Sequence, residues 1–252
     1  MTRCDLGGKG VLVTRAAHQA TGLCRLIESA GGRPLPFPAL EILPAEENGP
    51  AHRLLTEGRD LMIFVSPNAV RFGCALAWEG GLRAKRFGVV GRATAAALAG
   101  SGYTIDLIPD GRYDSEGLLA LSDLQHMGGQ EVVIVRGEGG RPLLADTLRA
   151  RGAKVEYAEV YRRARPNKDV APLLQAWHGS VDLVTVTSIE VLENLVAMLG
   201  AEGWPLLRRT PLMVISERMR EAADRQGFEK ILLAPGADDE TLLAAICDWN
   251  AG

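Results

Sequence analysis

The chain has 252 residues, of which 47% are hydrophobic and 23% are charged, and a formal net charge of −3. This composition is typical of a globular protein and too apolar for a disordered one, and the length suits one large domain or two of about 120 residues. The slightly acidic balance argues against nucleic acid as a partner, because no domain-wide basic field is present to release counterions.

No membrane segment or metal site is predicted. The N-terminal residues lack the apolar core of a signal peptide, and no apolar run approaches the roughly 20 residues that span a bilayer, so we expect a cytoplasmic protein. The histidines are isolated from one another, and the cysteines, Cys4, Cys24, Cys74 and Cys247, are scattered without metal-ligand spacing. We therefore expect four free thiols, with neither a disulfide framework nor a zinc site.

Short β-branched runs alternate with amphipathic segments of helical period along the chain. Strands are predicted at residues 11–14, 61–66, 87–91, 105–109, 131–136, 183–187, 212–216 and 230–234. Helices are predicted up to Ala30 and at 68–77, 93–100, 115–124, 143–150, 170–177, 190–199, 218–226 and 240–250, and a turn at 46–50. Strands separated by helical segments of about 10–15 residues indicate parallel sheets in an α/β fold.

Two extended segments are longer than the usual strand of about five or six residues. Pro34–Pro44 is rich in proline, which removes backbone donors and favours the edge of a sheet. Val155–Pro166 contains Tyr161 and a basic run. Period-two alternation puts Tyr161 on one face with three residues of its own segment, Val155, Tyr157 and Glu159. We expect this segment to connect two bodies, with Tyr161 facing a cleft.

An internal repeat indicates two domains. Residues at matching places in the strand–helix frame recur in the same order in the second half of the chain: Arg15, Leu23 and Gly31 as Arg136, Leu144 and Gly152; Asp60, Leu61 and Ser66 as Asp182, Leu183 and Ser188; Gly102 as Gly227; Leu118 and Leu119 as Leu242 and Leu243. The two long extended segments occupy the same place in each copy. The domains are either consecutive or, if both segments cross between bodies, interleaved, and the repeat permits either arrangement.

Candidate ligand-binding residues lie where strands end and helices begin. In parallel sheets this edge carries unpaired N–H groups and positive helix ends, which favour anions. The candidates there are Thr14, Arg15, Ser66, Asn68, Arg92, Thr94, Ser115, Arg136, Gly137, Ser188 and Arg218. Ser66, Ser115, Ser188 and a fourth serine at the same kind of position, Ser216, also suit helix N-caps, which alone would explain them. Arg15 and Arg136 could instead form surface ion pairs.

The sequence shows no signature of a nucleotide cofactor or of strong acid–base chemistry. The loop Gly137–Pro142 has proline where a dinucleotide loop has its third glycine, and the Walker pattern is absent. No GxSxG elbow, paired His/Cys set or carboxylate cluster is found. A reaction here would have to rely on positioning, on helix dipoles and on a phenol.

Seven ordered motifs resemble the uroporphyrinogen-III synthase family. They are Val11–Arg15, Phe64–Val70, Val89–Ala95, Ser115–Leu119, Val133–Arg141, Val160–Arg163 and Val186–Ser188, and they cover nearly the whole chain. The resemblance implies two flavodoxin-like α/β domains of parallel sheet, interleaved and joined by a two-stranded antiparallel linker. It places domain 1 at residues 1–37 and 166–252, domain 2 at 45–157, and the linker strands at 38–44 and 158–165.

The resemblance also implies a reaction without a cofactor or metal. Hydroxymethylbilane, a linear tetrapyrrole, would be cyclised to uroporphyrinogen III with inversion of ring D through a spiro intermediate and loss of water, so the enzyme would be a lyase of haem biosynthesis. The family's catalytic tyrosine falls on Tyr161, its Gly-x-Ala-Thr threonine on Thr94, and its strand-to-helix serines on Ser66 and Ser188. Where relatives place a second threonine, this chain has Ser216–Met219, and no threonine role is carried over.

A two-domain small-molecule-binding protein with a hinged cleft and no catalysis is the alternative. A flavodoxin-type FMN protein shares the repeated unit, but the Ser/Thr-rich phosphate loop that it needs is not found. We expect a monomer that binds a small molecule and neither nucleic acid nor membrane. The resemblance adds a transient contact with the enzyme that makes hydroxymethylbilane.

Overall fold

The computed structural model describes residues 4–251, and these fall into two compact units. Unit 1 contains the described residues up to Glu41 and those from Ala164 onward, and unit 2 is Ile42–Arg163. The chain therefore leaves unit 1, builds unit 2 and returns, which is the interleaved arrangement. The chain passes from one unit to the other between Glu41 and Ile42 and again between Arg163 and Ala164, and the domain and linker bounds given above stay predictions.

Helices and strands alternate in both units. The elements up to the middle of the chain are β1 (Gly10–Val13), α1 (Ala17–Ser29), β2 (Arg33–Pro36), β3 (Glu41–Pro44), α2 (Gly49–Thr56), β4 (Arg59–Phe64), α3 (Pro67–Leu76), β5 (Ala84–Val89), α4 (Arg92–Gly100) and α5 (Ser115–Leu119). The later ones are β6 (Glu131–Gly137), α6 (Leu143–Ala150), β7 (Lys154–Ala164), α7 (Ala171–Ser180), β8 (Leu183–Thr185), α8 (Ile189–Arg209), β9 (Leu212–Val214), α9 (Glu217–Gln226), β10 (Ile231–Leu233) and α10 (Asp239–Ala251).

Each unit is built on a five-stranded sheet. In unit 1 the strand order is β10-β9-β8-β1-β2, and the pairs are parallel. In unit 2 the order is β3-β7-β6-β4-β5, and the pairs among β7, β6, β4 and β5 are parallel. Apolar clusters cover both faces of each sheet, as parallel sheets require. The predicted α/β class with two parallel-sheet domains is confirmed, and the proline-rich β2 is an edge strand as expected.

Equivalent carboxylates anchor equivalent strands in the two copies. Asp60 accepts the backbone N–H of Glu131, the first residue of β6, at 2.9 Å. Asp182 accepts the backbone N–H of Gly10, the first residue of β1, at 2.7 Å. Each aspartate also binds a lysine. The repeat found in the sequence therefore corresponds to a repeated hydrogen-bonding arrangement.

Three predicted elements differ from the structure. Residues 105–109 form no strand, because the Asp106 carboxylate takes the N–H of Phe87 and only Leu107 bridges to β5. Residues 46–50 lead into α2, whose first turn contains a proline, a residue that suits a helix start. The predicted helix 115–124 ends at Leu119 and is followed by a separate 3-10 turn, since Leu121 between them is extended.

A β-bulge between β6 and β7 changes the face to which Tyr161 belongs. The register shifts between Arg136 and Gly137, and Tyr161 lies opposite Gly137. Before the bulge, Val155 and Tyr157 pack in the core cluster on one face of the sheet, whereas Tyr161 packs in the cluster on the other face. The prediction that Tyr161 shares a face with the start of its strand is wrong, because the extra residue interrupts the alternation.

The two ends of the described chain are joined in unit 1. Cys4 and Cys247 form a disulfide with a Cα–Cα distance of 5.7 Å, a separation typical of such bonds, while Cys24 and Cys74 are free. The expectation of four free thiols is therefore wrong. The segment before β1 lies against α10, where Asn250 donates a hydrogen bond to the carbonyl of Asp5. This packing brings together cysteines 243 residues apart, which spacing along the sequence does not indicate.

No helix within residues 4–251 is long and apolar enough to cross a membrane.

Candidate functional site

A pocket of about 320 Å³ lies at the carboxyl end of β6 in unit 2. Its lining comes from the end of β6, the loop after it, the start of α5, and β7. Four of the predicted site residues line it together: Ser115, Arg136, Gly137 and Tyr161. We call it the arginine pocket, because three arginines contribute to its wall, Arg136, Arg141 and Arg163.

A larger pocket, of about 640 Å³, lies at the amino ends of β4 and β5 and contains no predicted site residue. The guanidinium of Arg59 in that pocket lies within 4 Å of three carboxylates, those of Glu57, Glu131 and Glu156. A guanidinium so surrounded has little attraction left for a further anion. We therefore place the candidate site in the arginine pocket despite its smaller volume.

Arg136 is a buried cation with open donors. Only 8% of its surface is exposed. Its Nε donates to the carbonyl of Gly137 at 3.2 Å and lies 4.0 Å from Glu159 Oε1, and the guanidinium stacks 4.6 Å from the ring centroid of Tyr157. None of the described residues accepts a hydrogen bond from its two terminal nitrogens. Because the guanidinium is a planar fork that matches a carboxylate, this residue is suited to bind an anion in the pocket.

The glycine-rich loop after β6 is shaped around this guanidinium. Gly140 has a φ of 99°, and a Cβ at this position would lie 2.2 Å from Nη2 of Arg136. Only glycine combines this backbone conformation with so close an approach. The loop therefore packs closely around the guanidinium, and this packing explains why the loop contains glycine without the need for a bound nucleotide.

The donor set of the arginine pocket fits an anion better than a metal. Three arginines, a serine and two tyrosines line it, together with one carboxylate residue, Glu138. Guanidinium and hydroxyl groups donate hydrogen bonds, so donors outnumber the single anionic group. In the described part of the chain, no three metal-ligating side chains form a cluster.

Tyr161 forms one wall of the arginine pocket and is held in a single position. Its ring lies on Gly137, where a Cβ would be 2.4 Å from Cε2, and packs against Phe72 with ring centroids 5.8 Å apart. The Oη atom is 3.3 Å from Oγ of Ser66, and 4% of the residue is exposed. Gly137, predicted to bind substrate, thus has a packing reason to be glycine, and its contact with a substrate stays a prediction.

The predicted capping role is confirmed for Ser66 and Ser188 and is wrong for Ser115. Ser66 and Ser188 each accept a backbone N–H at 3.1 Å. The helix α5 is capped instead by Asp114, which accepts a backbone N–H at 2.8 Å; this hydrogen bond is the main cause of a lowered pKa of the Asp114 carboxyl. Ser115 is consequently the first helical residue, and its hydroxyl is not used by the fold in any hydrogen bond with residues 4–251.

Three further candidates of unit 2 lie outside the arginine pocket. Thr94 is buried in the first turn of α4, and Arg92 is exposed with its guanidinium over a tyrosine ring. Asn68 is half-buried in the first turn of α3. None of them lines the pocket, and their contacts with a substrate stay predictions.

In unit 1, two of the predicted ligands already use their polar groups within the fold. Thr14 is fully buried and donates to the carbonyl of Thr185 at 2.6 Å. The guanidinium of Arg15 binds the carboxylate of Asp239 and a backbone carbonyl. Arg218 is exposed on α9. Substrate binding by these residues stays a prediction, and the first two would have to exchange a partner to take part.

Tyr157 and Arg141 line the arginine pocket but are not among the residues predicted from the sequence. Tyr157 supports the guanidinium of Arg136, and Arg141 is an exposed cation 3.6 Å from Glu116. The signal for Tyr157 is the register: once β7 is placed beside β6, Tyr157 falls on the same face as Arg136.

The comparisons with known proteins agree on one family. The family described as uroporphyrinogen-III synthase HemD matches residues 22–244. The uroporphyrinogen-III synthase of Salmonella typhimurium is 37% identical over 247 residues, covering 94% of this chain and 99% of the relative. The one of Escherichia coli is 35% identical over 246 residues, with the same coverage.

Two solved structures have the same fold. A mutant uroporphyrinogen III synthase from Thermus thermophilus superposes with a TM-score of 0.58 at 22% identity, covering 96% of this chain and 98% of that one. The uroporphyrinogen-III synthetase of Helicobacter pylori gives 0.58 at 13% identity, with coverages of 96% and 99%. At these identities the structures establish the fold, and the family match with the relatives establishes membership. This chain belongs to the uroporphyrinogen-III synthase family.

Proposed function

We propose that the protein is an active uroporphyrinogen-III synthase, a lyase that closes hydroxymethylbilane to uroporphyrinogen III with inversion of ring D. The observation that carries the proposal is the arginine pocket, in which a buried guanidinium with open donors and a fixed tyrosine line the same cavity. The relatives from Salmonella and Escherichia coli are named for this activity. A non-catalytic binding protein is not favoured, because such a protein could have a similar fold but would not be expected to match this enzyme family and its relatives.

The chemistry depends on geometry more than on acid or base strength. The hydroxymethyl group ionises readily, because the electron pair of the pyrrole nitrogen expels hydroxide and leaves an azafulvene. Ring D attacks this carbon through its substituted position and gives a spiro intermediate; its old bond to the neighbouring methylene then breaks, and that methylene joins the free carbon of ring D. The proton lost from the free carbon balances the hydroxide, so one water leaves.

Arg136 supports this reaction as an anchor for one carboxylate arm of the substrate. Its guanidinium is held by a backbone carbonyl and stacked on a ring, so little side-chain entropy is lost when an anion binds. Charge-assisted bidentate hydrogen bonds are about twice as strong as neutral ones. Ser115 and the loop at Gly140 line the same pocket and add donors. An anchored arm leaves fewer conformations to the flexible tetrapyrrole and so enriches the near-attack geometry.

Tyr161 is assigned to the departing hydroxyl. Tyr161 is one of the residues that line the arginine pocket, and its ring packs on Gly137 and Phe72. A preplaced hydrogen-bond donor stabilises the negative charge that develops on the leaving oxygen and requires no reorganisation at that moment. The mechanism assigns no step to a metal or cofactor.

Seven other residues keep their predicted substrate-binding roles as proposals: Thr14, Arg15, Asn68, Arg92, Thr94, Ser188 and Arg218. Ser66 is assigned to the site through its contact with Tyr161 instead. We also propose that the protein acts as a monomer in the cytoplasm, in haem biosynthesis, and that it receives its substrate from the enzyme that makes hydroxymethylbilane. These proposals rest on the family and on the sequence.

Product analysis tests the activity. The protein is supplied with hydroxymethylbilane, the products are oxidised to porphyrins, and the isomers are separated. We expect type III in excess, whereas the uncatalysed closure yields type I, and only type I from the wild-type chain would reject the activity.

Tyr161→Phe should slow turnover about a hundredfold with a small change in melting temperature. Unchanged turnover would remove Tyr161 from the mechanism while the activity stands.

A further inference from the structure

We infer that Ser66 is a positioning residue for Tyr161: its hydroxyl donates to Tyr161 Oη and so leaves the phenolic proton free to point into the arginine pocket. This inference rests on the proposed function, in which Tyr161 donates a hydrogen bond to the departing hydroxyl. It assigns a direction to a hydroxyl pair in which either oxygen could be the donor.

The hydrogen-bonding capacity of Ser66 favours this direction. Its Oγ accepts the N–H of Ala69 at 3.1 Å as the cap of α3. Within the described residues, the remaining hydrogen-bond partner of Oγ is Tyr161 Oη at 3.3 Å. A serine hydroxyl has a single proton to donate, and leaving it unused in a half-buried position is unfavourable. The proton therefore goes to the phenol oxygen.

Tyr161 is not free to turn away from this partner. The bulge opposite Gly137 sets the direction of its side chain, and contacts with Gly137 and Phe72 hold the ring. When Oη accepts from Ser66, its own proton has to be donated elsewhere. Because the residue lines the arginine pocket, Tyr161 meets a substrate hydroxyl as a donor.

The helix behind Ser66 strengthens this donation. Ser66 stands at the N-terminus of the ten-residue helix α3, where unpaired N–H groups carry a partial positive charge. A hydroxyl that accepts from such an N–H is polarised and donates more strongly in turn. The hydrogen bonds thus form a chain from the helix through Ser66 to Tyr161.

Ser216 is a matched control for the capping role. It caps α9 with an extended backbone, φ −158° against −163° for Ser66, and accepts the N–H of Met219 at 3.4 Å. No tyrosine hydroxyl among residues 4–251 is hydrogen-bonded to it. Removal of either serine hydroxyl costs a helix cap, and only removal of Ser66 disturbs Tyr161.

The test is steady-state kinetics with hydroxymethylbilane, with thermal unfolding of each variant. Ser66→Ala should lower kcat about tenfold, the effect of one hydrogen bond, with little change in KM, and Ser66→Thr should restore most of it. Ser216→Ala should lose similar thermal stability and keep the wild-type kcat. In a Tyr161→Phe background, Ser66→Ala should cause no further loss.

Three outcomes would overturn the inference: a kcat for Ser66→Ala equal to that of Ser216→Ala, no recovery with threonine, or losses that multiply in the double variant. A wild-type chain that forms only type I porphyrin rejects the proposed function instead. A wild-type chain that forms type III while Ser66→Ala is fully active rejects the inference alone.

Discussion

Arg15 and Arg136 occupy equivalent places in the two copies and have opposite surroundings. Both are 8% exposed. In unit 1 the guanidinium of Arg15 is bound by the carboxylate of Asp239, whereas the terminal nitrogens of Arg136 have no acceptor among the described residues. Burial is therefore the same in both copies, and the difference lies in the partners, which occupy both terminal nitrogens of Arg15 and leave those of Arg136 open.

Whether the arginine has a carboxylate partner depends on the first residue of one helix in each unit. In unit 1, α10 begins at Asp239, and in unit 2, α5 begins at Ser115; each follows an aspartate that accepts a backbone N–H of its helix. The repeat places these residues at equivalent positions, so unit 1 has a carboxylate where unit 2 has a neutral hydroxyl. In unit 1 the carboxylate of Asp239 thus occupies the position at which an external anion could bind Arg136 in unit 2. After duplication, the same arginine position can form an internal ion pair in one copy and remain available for a ligand in the other.

Loss of Arg136 should have the largest effect on substrate binding. Arg136→Ala is expected to raise KM for hydroxymethylbilane about a hundredfold, because a charge-assisted anchor for the substrate is removed. Arg136→Lys keeps the charge without the bidentate fork and should recover only part of the loss. Steady-state kinetics measures both. A KM unchanged by the alanine variant would mean that Arg136 is as structural as Arg15.

Loss of Arg15 should reduce the stability of the fold. Arg15→Ala is expected to lower the free energy of unfolding by about 2–3 kcal/mol, because the carboxylate of Asp239 is left partly buried without its partner. Urea denaturation measures this, and Asp239→Asn serves as the reciprocal variant. Stability equal to that of the wild type would show that the pair is not what distinguishes unit 1.

An internal carboxylate in unit 2 should close the open site. Ser115→Asp puts the unit 1 residue at the equivalent position and is expected to raise KM about tenfold, because the new carboxylate competes with the substrate for the guanidinium. Ser115→Asn, neutral and of similar size, is the control and should raise KM much less. Equal effects of the two variants would indicate crowding rather than charge.

The smallest effect concerns a feature that the copies share. Burial raises the pKa of Asp182, but the N–H of Gly10 and the ammonium of Lys9 outweigh it, and the pKa lies below the ordinary 3.8. The pKa of Asp60 is lowered as well, chiefly by its hydrogen bond with Lys85. A lowered carboxyl pKa contributes stability that is complete above the ordinary value and is lost as pH falls through the folded value.

We therefore expect Asp60→Asn and Asp182→Asn each to weaken the loss of stability below about pH 4. Urea denaturation at a series of pH values measures this. A response in one copy alone would contradict the equivalence of the two anchors.

The α/β class, most of the elements and the repeat can be predicted from the sequence, because a strand or helix depends mainly on residues a few positions away. The caps at Ser66 and Ser188 are predicted for the same reason. The cap of α5 is not, since Asp114 and Ser115 are adjacent and both suit the position. The site is predicted in part: Arg136 and Tyr161 follow from their places at strand ends and on the long segment, whereas Tyr157 requires the register of β6 and β7.

By itself, the sequence determined two copies of a parallel βα unit, two long connecting segments, and Tyr161 as the candidate residue on the second of them. Only the tertiary structure decided that a bulge turns Tyr161 onto the other face of its sheet, that Asp239 fills the site of Arg15, and that Cys4 meets Cys247. The physical reason is distance along the chain. The two salt-bridged residues are 224 positions apart and the two cysteines 243, so packing of whole elements brings them together, and no local pattern records it.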